Sequence, residues 1–311
     1  MGLRIRTNVA SLNSQRRLGS STEAVQSSMN KLASGSRINK AADDAAGLAV
    51  SENLRADIRG LNMAKRNALD GVSLVQTAEG GLEETSNMLI RLRELAVQAA
   101  SDTIGPTERG FLNKEYMQLK DEIDRIALTT EFNGTRLLVG DAADGLPEEL
   151  QTAANPFPLE VQIGKDYFSE SDAIGNRNQV NIIKIDMGTL NALTSGLGLG
   201  EADPEEGGGG TRVDNKVDAQ QSITALDSAI TKVNDYRSYL GAIQNRFQST
   251  MANLGIQVEN LDTAQSRIRD ADYAAETASF TQNSILQQAG TSVLAQANQQ
   301  PQIALSLLQS M

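Results

Sequence analysis

The sequence predicts a mainly α fold, a long antiparallel helical bundle or coiled coil with a small β-hairpin patch. Three observations predict it. Two stretches of over forty residues each repeat an apolar side chain every seventh position. The period shortens to two only in a limited middle segment. The two ends are also unusual in charge: the first 22 residues hold Arg4, Arg6, Arg16 and Arg17 with no acid before Glu23, and Thr277 to Met311 holds no charged side chain.

The first seam reads Leu54, Leu61, Ala68, Val75, Leu82, Leu89 and Ala96, widened by Ile58, Ala64, Val72, Ala78 and Leu92. An apolar heptad of this length is the mark of a helix packed along other helices. It predicts a helix that runs ~65 Å at 1.5 Å per residue. Gly71 and the Gly80-Gly81 pair are expected to weaken and bend it locally. Gly105-Pro106 breaks the chain, and a third helix is expected from Glu108 to about Leu128, with Leu112, Met117, Leu119, Ile123 and Ile126 on its apolar face. Short strands follow at Thr135–Val139, after the Asn133-Gly134 turn, at Leu159–Ile163 and at Val180–Ile185. Asn133-Gly134-Thr135 is also a glycosylation sequon, but a turn explains it sufficiently. Pro156, Pro158, Pro204 and the glycines 207–210 mark loops. The second seam, Leu226, Val233, Leu240, Phe247, Leu254, Leu261 and Ile268, closes the bundle. Neither seam is self-sufficient, so remote parts of the sequence are expected to pair.

Composition removes most chemistry. Of 311 residues none is His, Cys or Trp, and only 11 are Phe or Tyr. No Ser-His-Asp or Cys-His nucleophile and no His/Cys zinc site can be built, so no catalytic, cofactor or metal residues are expected. The net charge of −11 and the scarcity of aromatics oppose nucleic-acid binding. No run approaches the ~18 apolar residues of a membrane span, so no membrane insertion is expected. Nor is there the apolar core of a cleaved signal peptide. Gly196-Leu-Gly-Leu-Gly200 is only a partial phosphate-loop pattern, and the acids 201–206 lack EF-hand spacing. Asp43-Asp44 is read as helix capping. The charge-free tail is built to order against other protein surfaces, where a charge is costly to bury.

Longer motifs then carry a family resemblance. The run Leu32-Ala-Ser-Gly-Ser-Arg37-Ile38-Asn39 through Asp43, Asp44, Gly47, Ser51 and Glu52 resembles the amino-terminal signature of bacterial flagellins. So does Ile58-Arg59-Gly60-Leu61 with Arg66-Asn67-Ala68, Asp70-Gly71 and Gln76-Thr77-Ala78-Glu79-Gly80. Ser266-Arg267, Arg269-Asp270-Ala271-Asp272-Tyr273, Glu276 and the ending Ala297-Asn298-Gln299 with Leu305 to Leu308 resemble the carboxy-terminal signature. The matched regions cover about residues 1–140 and 215–311.

The resemblance implies a structural, non-enzymatic subunit of the flagellar filament, exported unfolded through the flagellum's own secretion channel and placed outside the cell without a cleaved signal. Its terminal helices are expected to form a coiled coil lining the polymer core. On this reading residues 1–42 and 269–311 are the two halves of the core domain, 43–190 and 216–268 form the bundle with its β patch, and 191–215 is a loop rich in glycine and acid. The residues expected at the core interface are Leu12, Leu18, Val25, Leu32, Ile285, Leu286, Val293, Leu294, Leu305 and Leu308. Implied partners are further copies of the chain in a helical homopolymer, an export chaperone, the filament cap and the hook-junction proteins. Members sensed by the flagellin-binding Toll-like receptor present an Arg, a Leu and a Glu, which here match Arg91, Leu95 and Glu115. The same face is expected to lie between subunits in a filament. A hook–filament junction protein is the nearest rival reading, and a soluble coiled-coil adaptor of fixed stoichiometry a more distant one.

Overall fold

The computed structural model describes residues 8–140, 157–166, 181–200 and 211–309, the stretch 300–309 by its backbone alone. Its elements are α1 (Val9–Ser34), α2 (Ala45–Ala99), α3 (Pro106–Thr129), β1 (Glu131–Phe132), β2 (Thr135–Arg136), β3 (Leu159–Gln162), β4 (Ile182–Ile185), the helical turn α4 (Thr194–Leu197), α5 (Lys216–Arg269) and α6 (Tyr273–Gln309). The mainly helical class with a small β patch is the observed one. The chain divides into two compact units, residues 1–58 with 259–311 and residues 59–258.

In the unit 59–258 both heptad seams are core. From Leu61 to Ala96 every seventh residue is buried on α2, and so is every seventh from Leu226 to Leu254 on α5. Tyr116, Ile123 and Ala127 supply the buried face of α3. Pro106 sits at the first helical position, where its missing N–H costs nothing. The Arg109 guanidinium reaches back to the carbonyls of Ala99 (2.8 Å) and Ser101 (2.9 Å), satisfying the end of α2.

Gly71 and Gly81 do not interrupt α2, which is continuous from Ala45 to Ala99. A Cβ on Gly71 would stand 2.7–3.2 Å from the ring of Phe247, and one on Gly81 2.7 Å from both Thr130 and Leu138. These glycines are gaps in the α2 surface into which a neighbour's side chain fits, and packing there outweighs their poor helix propensity.

The Asn133-Gly134 turn joins β1 to β2 as expected, with both central residues at positive φ (53° and 80°). The second strand is shorter than the sequence implies. Leu137, Leu138 and Val139 are all buried, so they cannot alternate between core and solvent. They leave the ladder instead, Leu137 N–H donating to the Thr130 carbonyl and the Leu138 carbonyl accepting from Ala192 N–H. β3 and β4 pair antiparallel, Leu159 opposite Ile185, with Ile183 and Ile185 fully buried and a solvent-side Glu160–Lys184 ion pair of 2.8 Å. Val180 lies outside the described residues.

Residues 191–215, read as a loop, are partly core. Leu193, Leu197, Leu199 and Val213 are buried, while 201–210 lie outside the described residues. The start of α4 has no cap of its own. Asp124 of α3 substitutes, accepting from Thr194 N–H and Thr194 Oγ1 at 2.7 Å each. Gly196 and Gly198 are thus packing and turn residues, Gly198 closing α4 at φ 82°. Replacing Asp124 by Ala is expected to lower stability by about 1–2 kcal/mol, as removal of a cap does; urea denaturation checks this, and an unchanged midpoint would refute the assignment. The Tyr116 hydroxyl is buried beside those of Thr211 and Ser222 without a well-formed hydrogen bond, and burial pushes its phenol above the usual range.

In the unit 1–58 with 259–311, α1 ends at Gly35 in the left-handed region (φ 67°). The chain there pairs with the segment after α5: Arg37 N–H donates to the Arg269 carbonyl (2.6 Å), and Ala271 N–H to that of Gly35 (3.0 Å). Gln265 donates to the Ser51 carbonyl, and Arg269 meets Glu52 at 3.2 Å. These bonds tie both helix breaks to the first turns of α2 and the last turns of α5. The unit boundaries therefore fall at 58/59 and 258/259, inside the helices, and not near 43 and 269 where the chain itself breaks. Asp44 caps α2 through Gly47 N–H (2.8 Å), as expected. Asp43 instead closes the preceding turn. It accepts from the N–H groups of Lys40 and Asn39, which hold its carboxyl below the ordinary 3.8.

Candidate assembly surface

α1 and α6 lie antiparallel, and their contacts fix one register. Asn8 Nδ2 donates to the Ala297 carbonyl and Ser11 Oγ to Asn298 Oδ1, both at 2.8 Å. Gln287 donates to Thr22 Oγ1 (3.3 Å), and Lys31 lies 3.9 Å from Glu276. The inward residues of α1 alternate spacings of three and four: Ser11, Ser14, Leu18, Ser21, Val25, Ser28 and Leu32. Those of α6 do likewise: Glu276, Phe280, Asn283, Gln287, Gly290, Leu294 and Ala297.

Large faces small across this seam. Gly290 sits against Leu18, whose Cδ1 would be 3.4 Å from a Cβ there. The same register brings Ser14 level with Leu294 and Ser28 level with Phe280. Among the described residues only Ser28 and Ala297 are buried along the pair. Such a seam specifies register but removes little apolar surface from water. Beside Gly290 the small side chains leave an open groove of about 500 Å³, lined by Arg17, Leu286 and Val293 among others.

The expected interface residues therefore separate into two sets. Leu18, Val25, Leu32 and Leu294 are half-buried in the seam between the chain's own helices. Leu12, Ile285, Leu286 and Val293 point away from it, 49–60% exposed. The side chains of Leu305 and Leu308 lie outside the described residues. Val9, Met29, Val50 and Tyr273 join the outward apolar set and were missed in the sequence. The signal was present: assigning the α1 heptad from Ser11 places Val9 and Met29 off the a and d positions.

The Arg91, Leu95 and Glu115 constellation is not one surface. The Arg91 guanidinium donates to Glu115 (2.8 Å) and Glu94 (2.9 Å), and the hydrogen bond to Glu115 chiefly raises its already high pKa. Leu95 is only 1% exposed. It shares the inward face with Leu92, Ala96 and Ala99, so it is a core residue and not a presented contact. Among the described residues there is no group of three or more acidic side chains placed to hold a metal ion, and no helix long and apolar enough to cross a membrane.

The chain thus combines long helices with a complete core in one unit and outward apolar rows in the other. Residues 5–143 match the family described as bacterial flagellin N-terminal helical region, and residues 223–308 the bacterial flagellin C-terminal helical region. The chain is 44% identical to the flagellin of Bacillus subtilis over 317 residues, covering 98% of this chain and all of that one. It is 42% identical to the flagellin of Halalkalibacterium halodurans over 304 residues, covering 98% and 99%. It is likewise 41% identical to the flagellar filament 33 kDa core protein of Treponema phagedenis, covering 98% and 99%. The chain belongs to the bacterial flagellins, the subunits of the flagellar filament.

Proposed function

We propose that this chain leaves the cell unfolded through the flagellar secretion channel and polymerises into the extracellular filament that drives swimming. The observation that carries the reading is the outward row of Leu12, Ile285, Leu286 and Val293 on a helix pair whose carboxy-terminal member has no charge after Glu276. Exposed apolar rows of this kind gain free energy only when another surface covers them. Contacts repeated without closure give an open helical polymer and not a ring or dimer. An export chaperone, the filament cap and the hook-junction proteins are the further partners this reading implies.

Charge is distributed to suit it. Residues 1–58 with 259–311 carry ten basic and ten acidic side chains, so the whole net charge of −11 resides on residues 59–258. Polymerisation concentrates that like charge while the neutral ends pack. Raising ionic strength from 0.01 to 0.15 M shortens the screening length from about 30 to about 8 Å. Seeded elongation is therefore expected to speed up several-fold over that range. Microscopy of seeds mixed with intact subunit checks this. Indefinite growth supports a filament subunit; a discrete complex of fixed stoichiometry at every salt concentration would favour the adaptor reading.

A further inference from the structure

With no cysteine, tryptophan or histidine in the chain, methionine sulfur is its most readily oxidised group. Among the described residues two methionines are well exposed, Met29 at 57% and Met63 at 47%. Met187 is fully buried, and Met88, Met117 and Met251 pack against the core. The two exposed sulfurs differ in their surroundings: Arg66 Nη2 lies beside Met63 Sδ. No hydrogen bond reaches the Met29 sulfur among the described residues. Met29 follows the buried Ser28 on α1, and its neighbours one turn away, Val25, Gln26, Leu32 and Ala33, carry no charge.

We propose that Met29 is an oxidation site that gates assembly: a peroxide converts its thioether to the sulfoxide in the free subunit, and the oxidised side chain keeps that face of α1 from being covered. The inference rests on the assembly reading above. The sulfur lone pair attacks one peroxide oxygen and the O–O bond breaks. Sulfur is oxidised by two electrons as the S–O bond forms, and the second oxygen leaves as water after taking up a proton. An apolar, flexible side chain thus becomes a polar one carrying a strong acceptor that holds water. Stripping water from that oxygen opposes subunit addition. Once covered in a polymer, the sulfur is shielded, so the switch acts before assembly and not after it.

The test treats intact subunit with hydrogen peroxide, locates added oxygen by peptide mass spectrometry, and measures seeded elongation. Met29 and Met63 are both expected to oxidise far ahead of the buried Met187. Elongation is expected to fall about tenfold, the scale set by desolvating one polar group, and to return after treatment with methionine sulfoxide reductases. A Met29→Leu chain, close in volume and apolar, should keep its untreated rate after the same exposure. Preformed filaments should protect Met29. An equal loss of elongation in Met29→Leu, an unchanged rate in chains fully oxidised at Met29, or equal oxidation of Met29 in filament and subunit would each overturn the inference. Untreated subunit that never elongates seeds would remove the assembly reading itself, a distinguishable failure.

Discussion

Replacing Phe247 by Ala is expected to destabilise residues 59–258 by about 3–5 kcal/mol, the range for truncating a buried phenylalanine. The ring is fully buried on the α5 seam and rests on Gly71 of α2. Removing it leaves a cavity that cannot close cheaply, because a long helix backbone lies on one side. The reciprocal change, Gly71→Ala, places a Cβ within 2.7 Å of the ring and is expected to cost about 1–3 kcal/mol through overpacking. Combined with Phe247→Leu, which frees that space, it should cost less than the sum of the two single changes. Urea denaturation of these four variants beside wild type checks this. A Phe247→Ala midpoint equal to wild type, or strict additivity of the pair, would contradict the packing described.

The second large effect is on assembly. Leu294→Asp puts a carboxylate into the α1–α6 seam level with Ser14, on a helix whose last charged side chain is Glu276. Burying that charge unpaired costs several kcal/mol, so seeded elongation should cease. Stability of residues 59–258 should be unchanged, since Leu294 is not part of that core. The same change at Leu308 is expected to act alike. Val293→Asp, on the outward side, should stop elongation while leaving the helix pair as it is. Filaments of normal yield from Leu294→Asp and Val293→Asp would remove the proposed role of this surface.

The heptads made the bundle legible. Leu61 to Ala96 and Leu226 to Leu254 are apolar at every seventh position because each such position is buried, and that regularity is visible without coordinates. The Asn-Gly turn and the Pro106 helix start were readable for the same local reason. What depends on a partner element was not. Gly71 reads as a weak point until Phe247 is seen against it. Leu137 to Val139 read as strand because apolar residues fit either assignment, and burial on every side decided otherwise. Leu193 to Leu199 read as loop because Asp124, seventy residues earlier, supplies the missing cap. At the assembly surface the apolar residues were identifiable, but not their direction. Hydropathy does not separate adjacent residues of one helix: Val293 and Leu294 are both apolar, yet one faces outward and the other the seam. Leu95 fails as a surface contact on the same ground, since matching a motif does not say which way a helix is turned.

On the reading proposed above, the charge-free carboxy-terminal helix is what makes this chain polymerise. Seeded elongation at neutral pH tests that most directly, comparing the intact chain with one ending at Glu276, read by negative-stain microscopy and far-UV circular dichroism. Only the intact chain is expected to lengthen seeds, with helical signal rising as it is incorporated, while the shortened chain keeps a folded bundle and adds nothing. Equal elongation by both chains would contradict it.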